Sequence, residues 1–279
     1  MSPSISGPVS TWPDQAPGGE PEWLVLDDQE ACAAAAAERI AGILADAVAA
    51  RGRADWATTG GSTPAGIYRH LARPPLRDAV PWERVDIWLG DERFVPRTSD
   101  WCNARIGDRD LVAAGAGSTL AGVRIHAWPV DAALATGRDA AWTAVQYVRE
   151  LHENGVPFAD GQPVLDIVLV GIGPDGHLLS VFPGSEAFDT EAPALAIPAP
   201  THVAPRVERV TLNPRVLDVA RHVMAVAHGA SKAGILGEIF GPVRDPRRLP
   251  AQLARRTGAT WMVDRAAAAG VTLGAQPAG

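Results

Sequence analysis

The chain is 279 residues long, 47% hydrophobic and 20% charged, enough apolar material for a sizeable core and too much for wholesale disorder. Its 25 basic and 32 acidic residues leave a net charge of −7, which argues against a nucleic-acid surface, whose affinity comes from neutralising phosphates, but leaves room for one cationic pocket. Cys32 and Cys102 make neither a disulfide framework nor a metal-binding spacing, which fits a reducing cytosol, and no apolar run approaches the roughly 18–20 residues of a membrane span.

Residues 1–21 are rich in Pro, Ser and Gly and lack the basic and apolar regions of a signal peptide; a poorly ordered tail is expected there. An apolar run at 23–26 opens the first strand, and the alanine-rich stretch 28–50 reads as a helix capped by Asp27 or Asp28. Further strands are expected at 55–58, 84–89, 124–128, 164–170, 207–212, 223–227 and 260–263. Helices are expected at 64–72, 103–113, 138–153, 231–239 and 264–269. Residues 164–170 read VLDIVLV, almost continuously apolar, as a strand covered on both faces of a parallel sheet requires. The Pro-rich stretch 193–205 reads as a surface loop. Strands separated by helices predict an α/β fold: an open, doubly wound, mostly parallel sheet with helices on both faces. One domain is expected over 22–270, followed by a flexible tail at 271–279.

Four polar motifs each follow an expected strand: Gly60-Gly61-Ser62-Thr63-Pro64, Gly90-Asp91-Glu92-Arg93, Gly171-Ile172-Gly173-Pro174-Asp175-Gly176-His177 and His228-Gly229-Ala230-Ser231-Lys232. In an open parallel sheet the carboxyl ends of the strands share the edge where ligands bind, so all four are expected to face one crevice. The third motif satisfies G-x-G-x-x-G, but a dinucleotide fingerprint needs a substantial helix opening at its third glycine. Here only residues 177–182 precede Pro183-Gly184, so dinucleotide binding is not expected. The informative pair is Asp175 and His177. An imidazole can take and return a proton near neutrality, and a neighbouring carboxylate can orient it. The ordinary alternative is a loop histidine bonded to backbone. His70, His126, His152, His202 and His222 lack such a setting and read as structural or surface residues.

The GGSTP turn is either a capped helix start, with Ser62 or Thr63 as cap and Pro64 at the first helical position, or an anion cradle built from amides and hydroxyls. Its doubled glycines and hydroxyls favour the cradle. Lys232 is the only lysine among 25 basic residues, which suggests a site that needs a compact ammonium. Asp91, Glu92 and Arg93 are either a solvated charged turn or, through Arg93, a contact to substrate oxygens.

The segments TTGGSTPAGIYRHLA, WLGDERFVP followed by Asn103, VLVGIGPDGHLLSVFPGS, RVERVTLNP, HGASKAG, and LPAQL before WMVD together resemble the 6-phosphogluconolactonase branch of the family that also includes glucosamine-6-phosphate isomerase/deaminase. They run in family order from about residue 56 to 264. The DGH…FPG element separates the branches, because deaminases carry an NGH-like element followed by FNEP. The chain departs from the lactonase pattern at Leu178 and Leu179, where small or hydroxyl residues are usual, and at Cys102, where Ser is usual. The resemblance implies hydrolysis of 6-phospho-D-glucono-1,5-lactone in the cytoplasm, with no cofactor, no metal and no nucleic-acid or membrane partner. It implies His177 as the base that activates water and Asp175 as its orienting group. Gly60, Gly61, Ser62, Thr63 and Lys232 would hold the phosphate and Arg93 substrate oxygens. Two competing readings are a deaminase-like enzyme using Glu186 and a sugar-phosphate sensor; the 21 residues ahead of the first strand are too few for a helix-turn-helix.

Overall fold

The computed structural model describes residues 19–113 and 119–272. The predicted tail is therefore outside the described residues except for its last three, of which Glu20 pairs with Arg255 at 2.8 Å. At the other end Val271 packs against the core, so the expected flexible segment does not begin there; residues 273–279 lie outside the description.

The described residues include β1 (Glu22–Leu26), β2 (Ala54–Thr58), β3 (Val85–Leu89), β4 (Asp91–Arg93), β5 (Arg124–His126), β6 (Phe158–Ala159), β7 (Gln162–Pro163), β8 (Ile167–Gly171), β9 (Ala194–Ile197), β10 (Arg209–Leu212), β11 (Val223–Ala227) and β12 (Ala259–Asp264). Seven strands form one sheet in the order β1-β12-β11-β8-β2-β3-β5, with every pair parallel. Side chains alternate across it, as strand geometry demands. Trp56, Ile87, Leu169, Met224 and Met262 cluster with Ala36, Ile40 and Leu44 of the helix Gln29–Arg51. Trp88, Val168, Val170, Ala225 and Trp261 cluster on the other side with Tyr147 and Leu151 of the helix Ala140–Glu153 and with Leu236 and Ile239 of the helix Ala233–Ile239. Each large apolar side chain buried this way contributes roughly 1.5–3 kcal/mol. The alanines of Gln29–Arg51 let that helix lie close on the sheet; Asp28, not Asp27, caps it, accepting from the Ala31 amide at 2.8 Å. No helix among the described residues is long and apolar enough to cross a membrane.

The chain runs outward from β2 to β3 and β5, then returns to place β8 on the other side of β2. That reversal makes the gap between the carboxyl ends of β2 and β8 the topological switch point. The two strands are in register at Trp56–Ile167 and Ala57–Val168, and beyond them the chains part.

Three sequence expectations are corrected. The 207–212 strand is absent from the parallel sheet; as β10 it pairs antiparallel with β4 and β9 in a separate three-stranded sheet. The Pro-rich stretch 193–205 is not all loop, because Ala194–Ile197 forms β9; the prolines stand outside the paired residues, Pro193 before them and the rest from Pro198 on. The 103–113 helix is one α-turn, Ala104–Gly107, continuing into a π-turn, Asp108–Val112.

At the edge opposite the crevice, Asp55, Asp86 and Asp166 are buried near the starts of their strands and paired to Arg53, Arg124 and Arg51. His126 lies stacked on Trp88 with its ring nitrogens 2.8 Å from Asp86 and 2.7 Å from Glu150. Burial lowers its pKa, but the two carboxylates outweigh burial and raise it above 6.5. A histidine whose pKa is higher folded than unfolded stabilises the fold fully below its unfolded value, and that contribution is lost as pH rises through the folded one. The stability gap between the wild type and His126→Gln, read from urea unfolding, should therefore narrow as the pH is raised above about 6.5, the ordinary histidine value. A gap of constant size would mean that folding leaves the His126 pKa unchanged, and a gap that widens would mean that the fold holds the ring uncharged.

Candidate active site

From β2 the chain turns through Thr59, Gly60 and Gly61 into the helix Ser62–Leu71. Gly61, at φ 96°, is the cap residue and no side chain caps the helix. Neither Ser62 nor Thr63 is the cap, and Pro64 sits third in the helix rather than first, where its missing N–H is still among the orphans of the first turn. With no side-chain cap, the first-turn amides of this ten-residue helix are placed where an anion could accept from them. Gly60 has to be glycine, since a Cβ there would stand 1.8 Å from Asn103 Oδ1. The Thr63 hydroxyl pairs with His228 Nε2 at 3.2 Å; the Ser62 side chain lies outside the described residues.

Lys232, in the short turn Ala230–Lys232 after β11, donates to the Ile172 carbonyl at 2.6 Å. That bond uses one of its three N–H groups. Burial lowers its pKa and Asp175 partly restores it, so the ammonium is a desolvated charge with unused donors.

GDER is no solvated turn. Asp91 and Glu92 are 5% and 3% exposed, because β4 leaves the main sheet at Gly90 and pairs with β10. The register sets Arg93 opposite Arg209. Arg93 donates to the Trp101 carbonyl and Arg209 to the Pro205 carbonyl, yet the Nε of each is buried without a partner. Burial and Arg93 both lower the Arg209 pKa, against Asp91 and Glu92. Like charges directly opposite on a sheet are destabilising, and an anion set between the two guanidiniums would remove that cost.

Beyond β8, Asp175 Oδ1 lies 2.5 Å from His177 Nδ1 and Oδ2 lies 2.7 Å from His202 Nε2. Burial pushes the Asp175 carboxyl up, but His177 and His202 outweigh it and hold it well below the usual carboxylate range. An ionised carboxylate only accepts, so His177 Nδ1 carries the proton and Nε2 is the basic nitrogen. Gly176, at φ 79°, makes the turn possible. No helix opens there; the chain forms a bridge between Leu178 and Val181, so the glycine pattern has no dinucleotide setting. Leu179 adopts φ 53°, a left-handed conformation that bulky residues rarely take.

Gly60, Gly61, Thr63, Arg93, His177 and Lys232 line one cavity of about 490 Å³ at the switch point. Asp175 stands behind His177. Asn103, Arg209 and His228 also line it, without having been assigned a role from the sequence. Arg209 was hidden because the strand pairing that sets it opposite Arg93 is long-range, and His202 because nothing local links it to Asp175. A groove of about 710 Å³ adjoins the cavity across Phe182 and His202. Its described lining has no Lys or Arg and includes Glu186 and Asp189, whereas Arg93, Arg209 and Lys232 line the smaller cavity.

The chain matches the family described as glucosamine-6-phosphate isomerases/6-phosphogluconolactonase over residues 27–262. It is similar to the 6-phosphogluconolactonase of Streptomyces coelicolor, 32% identical over 252 residues that cover 89% of this chain and 94% of that protein. The 6-phosphogluconolactonase of Synechocystis is 34% identical over 79% of this chain and 86% of its own length. The crystal structure of 6-phosphogluconolactonase from Leishmania guyanensis matches with a TM-score of 0.76 at 29% identity, covering 91% of this chain and all (100%) of that one. A monomeric glucosamine-6-phosphate deaminase shares the fold at a TM-score of 0.67 and 17% identity, covering 90% of this chain and 100% of its own.

A Cβ on Gly173 would stand 2.1 Å from His177 Nδ1, so Gly173→Ala should expel the imidazole from its bond to Asp175. The His177 ring signals in NMR should move while unfolding stays cooperative. Unmoved signals would show that the loop absorbs the methyl group elsewhere.

Proposed function

The chain belongs to the glucosamine-6-phosphate isomerase/6-phosphogluconolactonase family, and on that footing we propose that it hydrolyses 6-phospho-D-glucono-1,5-lactone to 6-phospho-D-gluconate, the lactone step of the oxidative pentose phosphate pathway. The observation that carries this reading is the imidazole of His177, anchored through Nδ1 to Asp175 and lining the same cavity as Lys232, Arg93 and Arg209. An internal ester is an activated acyl group, so one positioned base suffices, with neither metal nor organic cofactor. His177 Nε2 takes a proton from water as the oxygen bonds to C1. The tetrahedral intermediate then breaks its bond between C1 and the ring oxygen, and the imidazolium returns the proton to that oxygen. Asp175 stabilises the imidazolium and keeps the tautomer. Lys232 and the amides at Gly60–Thr63 hold the 6-phosphate, while Arg93 and Arg209 take other substrate oxygens. Binding the remote phosphate fixes C1 against the base.

A deaminase-like reaction would need an acid/base carboxylate where FNEP supplies one, and this chain has Phe182-Pro183-Gly184 there. Glu186 lines the neighbouring groove and not the cavity of His177, which favours the lactonase.

A coupled assay on freshly generated lactone tests the reaction, and no acceleration over spontaneous hydrolysis would refute it. In that assay His177→Ala should lower turnover by about 10²–10⁴-fold, the usual contribution of a general base, while 6-phosphogluconate still binds. Near-native turnover would remove His177 from the role. Lys232→Ala should weaken binding of the phosphorylated lactone by roughly ten- to a hundredfold, as loss of a charge-assisted bond does. Wild type and Lys232→Ala should differ little on unphosphorylated gluconolactone. Equal losses on both substrates would place Lys232 at the reacting centre or in the fold instead.

A further inference from the structure

Asp175 has a second partner that the proposed reaction does not use. Its Oδ1 serves His177, and its Oδ2 accepts from His202 Nε2 at 2.7 Å. The torsion that turns a carboxylate about its own stem is broad and roughly two-fold. A carboxylate held at one oxygen alone can therefore swing, and the imidazole bonded to it swings too. Held at both oxygens, its plane is fixed.

His202 is poorly explained as a packing residue, since its side chain is 50% exposed against 17% for Asp175. It is also poorly placed to touch substrate, because it lines the neighbouring groove and not the cavity of His177. Phe182 lies between the two imidazoles, its ring 4.7 Å from His177 and 5.8 Å from His202, and keeps them on separate sides. The next two residues after His202, Val203 and Ala204, line the reacting cavity, so the same bond ties that wall to the dyad.

We infer that His202 is a positioning residue: by donating from Nε2 to Asp175 Oδ2 it fixes the carboxylate plane that aims His177, in the lactone hydrolysis proposed above. The role needs an N–H donor and no charge. Glutamine, whose amide nitrogen reaches about as far as Nε2 of histidine, can fill it, and leucine cannot.

The experiment compares the wild type with His202→Leu and His202→Gln in the full chain. Two readouts are taken: kcat and KM on the lactone, and the NMR signal of the His177 Nδ1 proton without substrate. His202→Leu should lower kcat on the order of tenfold through misaimed geometry, with KM changed by less than about twofold, and should shift or broaden the Nδ1 signal. His202→Gln should restore both. In the Asp175→Asn background, His202→Leu should cause no further loss of kcat, because the two substitutions break one linkage. A wild-type kcat and unmoved Nδ1 signal in His202→Leu would overturn the inference. So would a rise in KM in place of the fall in kcat, a glutamine variant as poor as leucine, or additive losses with Asp175→Asn. Should the wild type show no lactonase activity, the reaction reading fails by itself, and the Nδ1 signal still decides whether His202 holds the dyad.

Discussion

Everything at the site depends on two strands that part after pairing. β2 and β8 are in register at Trp56–Ile167 and Ala57–Val168, just after the Asp166 amide donates to the Asp55 carbonyl at 2.8 Å. Past them β2 runs into the glycine turn at Gly60 and Gly61, and β8 runs into the loop that carries Asp175 and His177. The reversal of strand order makes those loops leave in different directions, so the gap between them has to be lined by side chains and amides rather than by another strand. The cavity is a consequence of topology, and its chemistry follows from which residues the loops carry.

The cationic side of the cavity needs support because it concentrates like charge in a partly dry place. Arg93 and Arg209 oppose each other across one register of β4 and β10. The acidic neighbours that make this tolerable are themselves buried and bonded. Burial pushes the Glu92 carboxyl up, opposed by the amides of Asn103, Ala104 and Arg93. Asp91 accepts from the Ser180 hydroxyl at 2.6 Å. The same Asn103 whose amide is held by Glu92 fills the space over Gly60. Glycine turn, arginine pair and acidic support are thus one packed unit, in which a methyl group on Gly60 would be felt by Asn103.

The reacting side is built differently. The His177 ring is oriented by a hydrogen bond to Asp175, two residues away in sequence, an arrangement that a short glycine-bent loop can make locally. Glycine is required at 173 by the closeness of the His177 ring and at 176 by backbone conformation. Asp175 is the point where this local device meets the rest of the fold, through His202 on the strand-to-strand connection between β9 and β10.

The parts of this protein that local sequence determined are those governed by short-range physics. The seven strands of the parallel sheet were legible from apolar runs, the first helix from Asp28 and its alanines, and the Asp175–His177 pair from glycines and spacing. So was the glycine turn at Gly60–Thr63 into the helix, although the side chains expected to cap it do not. Tertiary structure alone decided what depends on which distant segments pair. The antiparallel sheet of β4, β9 and β10 buries a run that reads as a solvated charged turn, and sets Arg209 against Arg93 across 116 positions of register separation in sequence. His202 reaches Asp175 from 27 residues away. A strand's own pattern shows that it will be buried, but not beside which neighbour, because backbone hydrogen bonding is the same for every partner and only the assembled packing selects one.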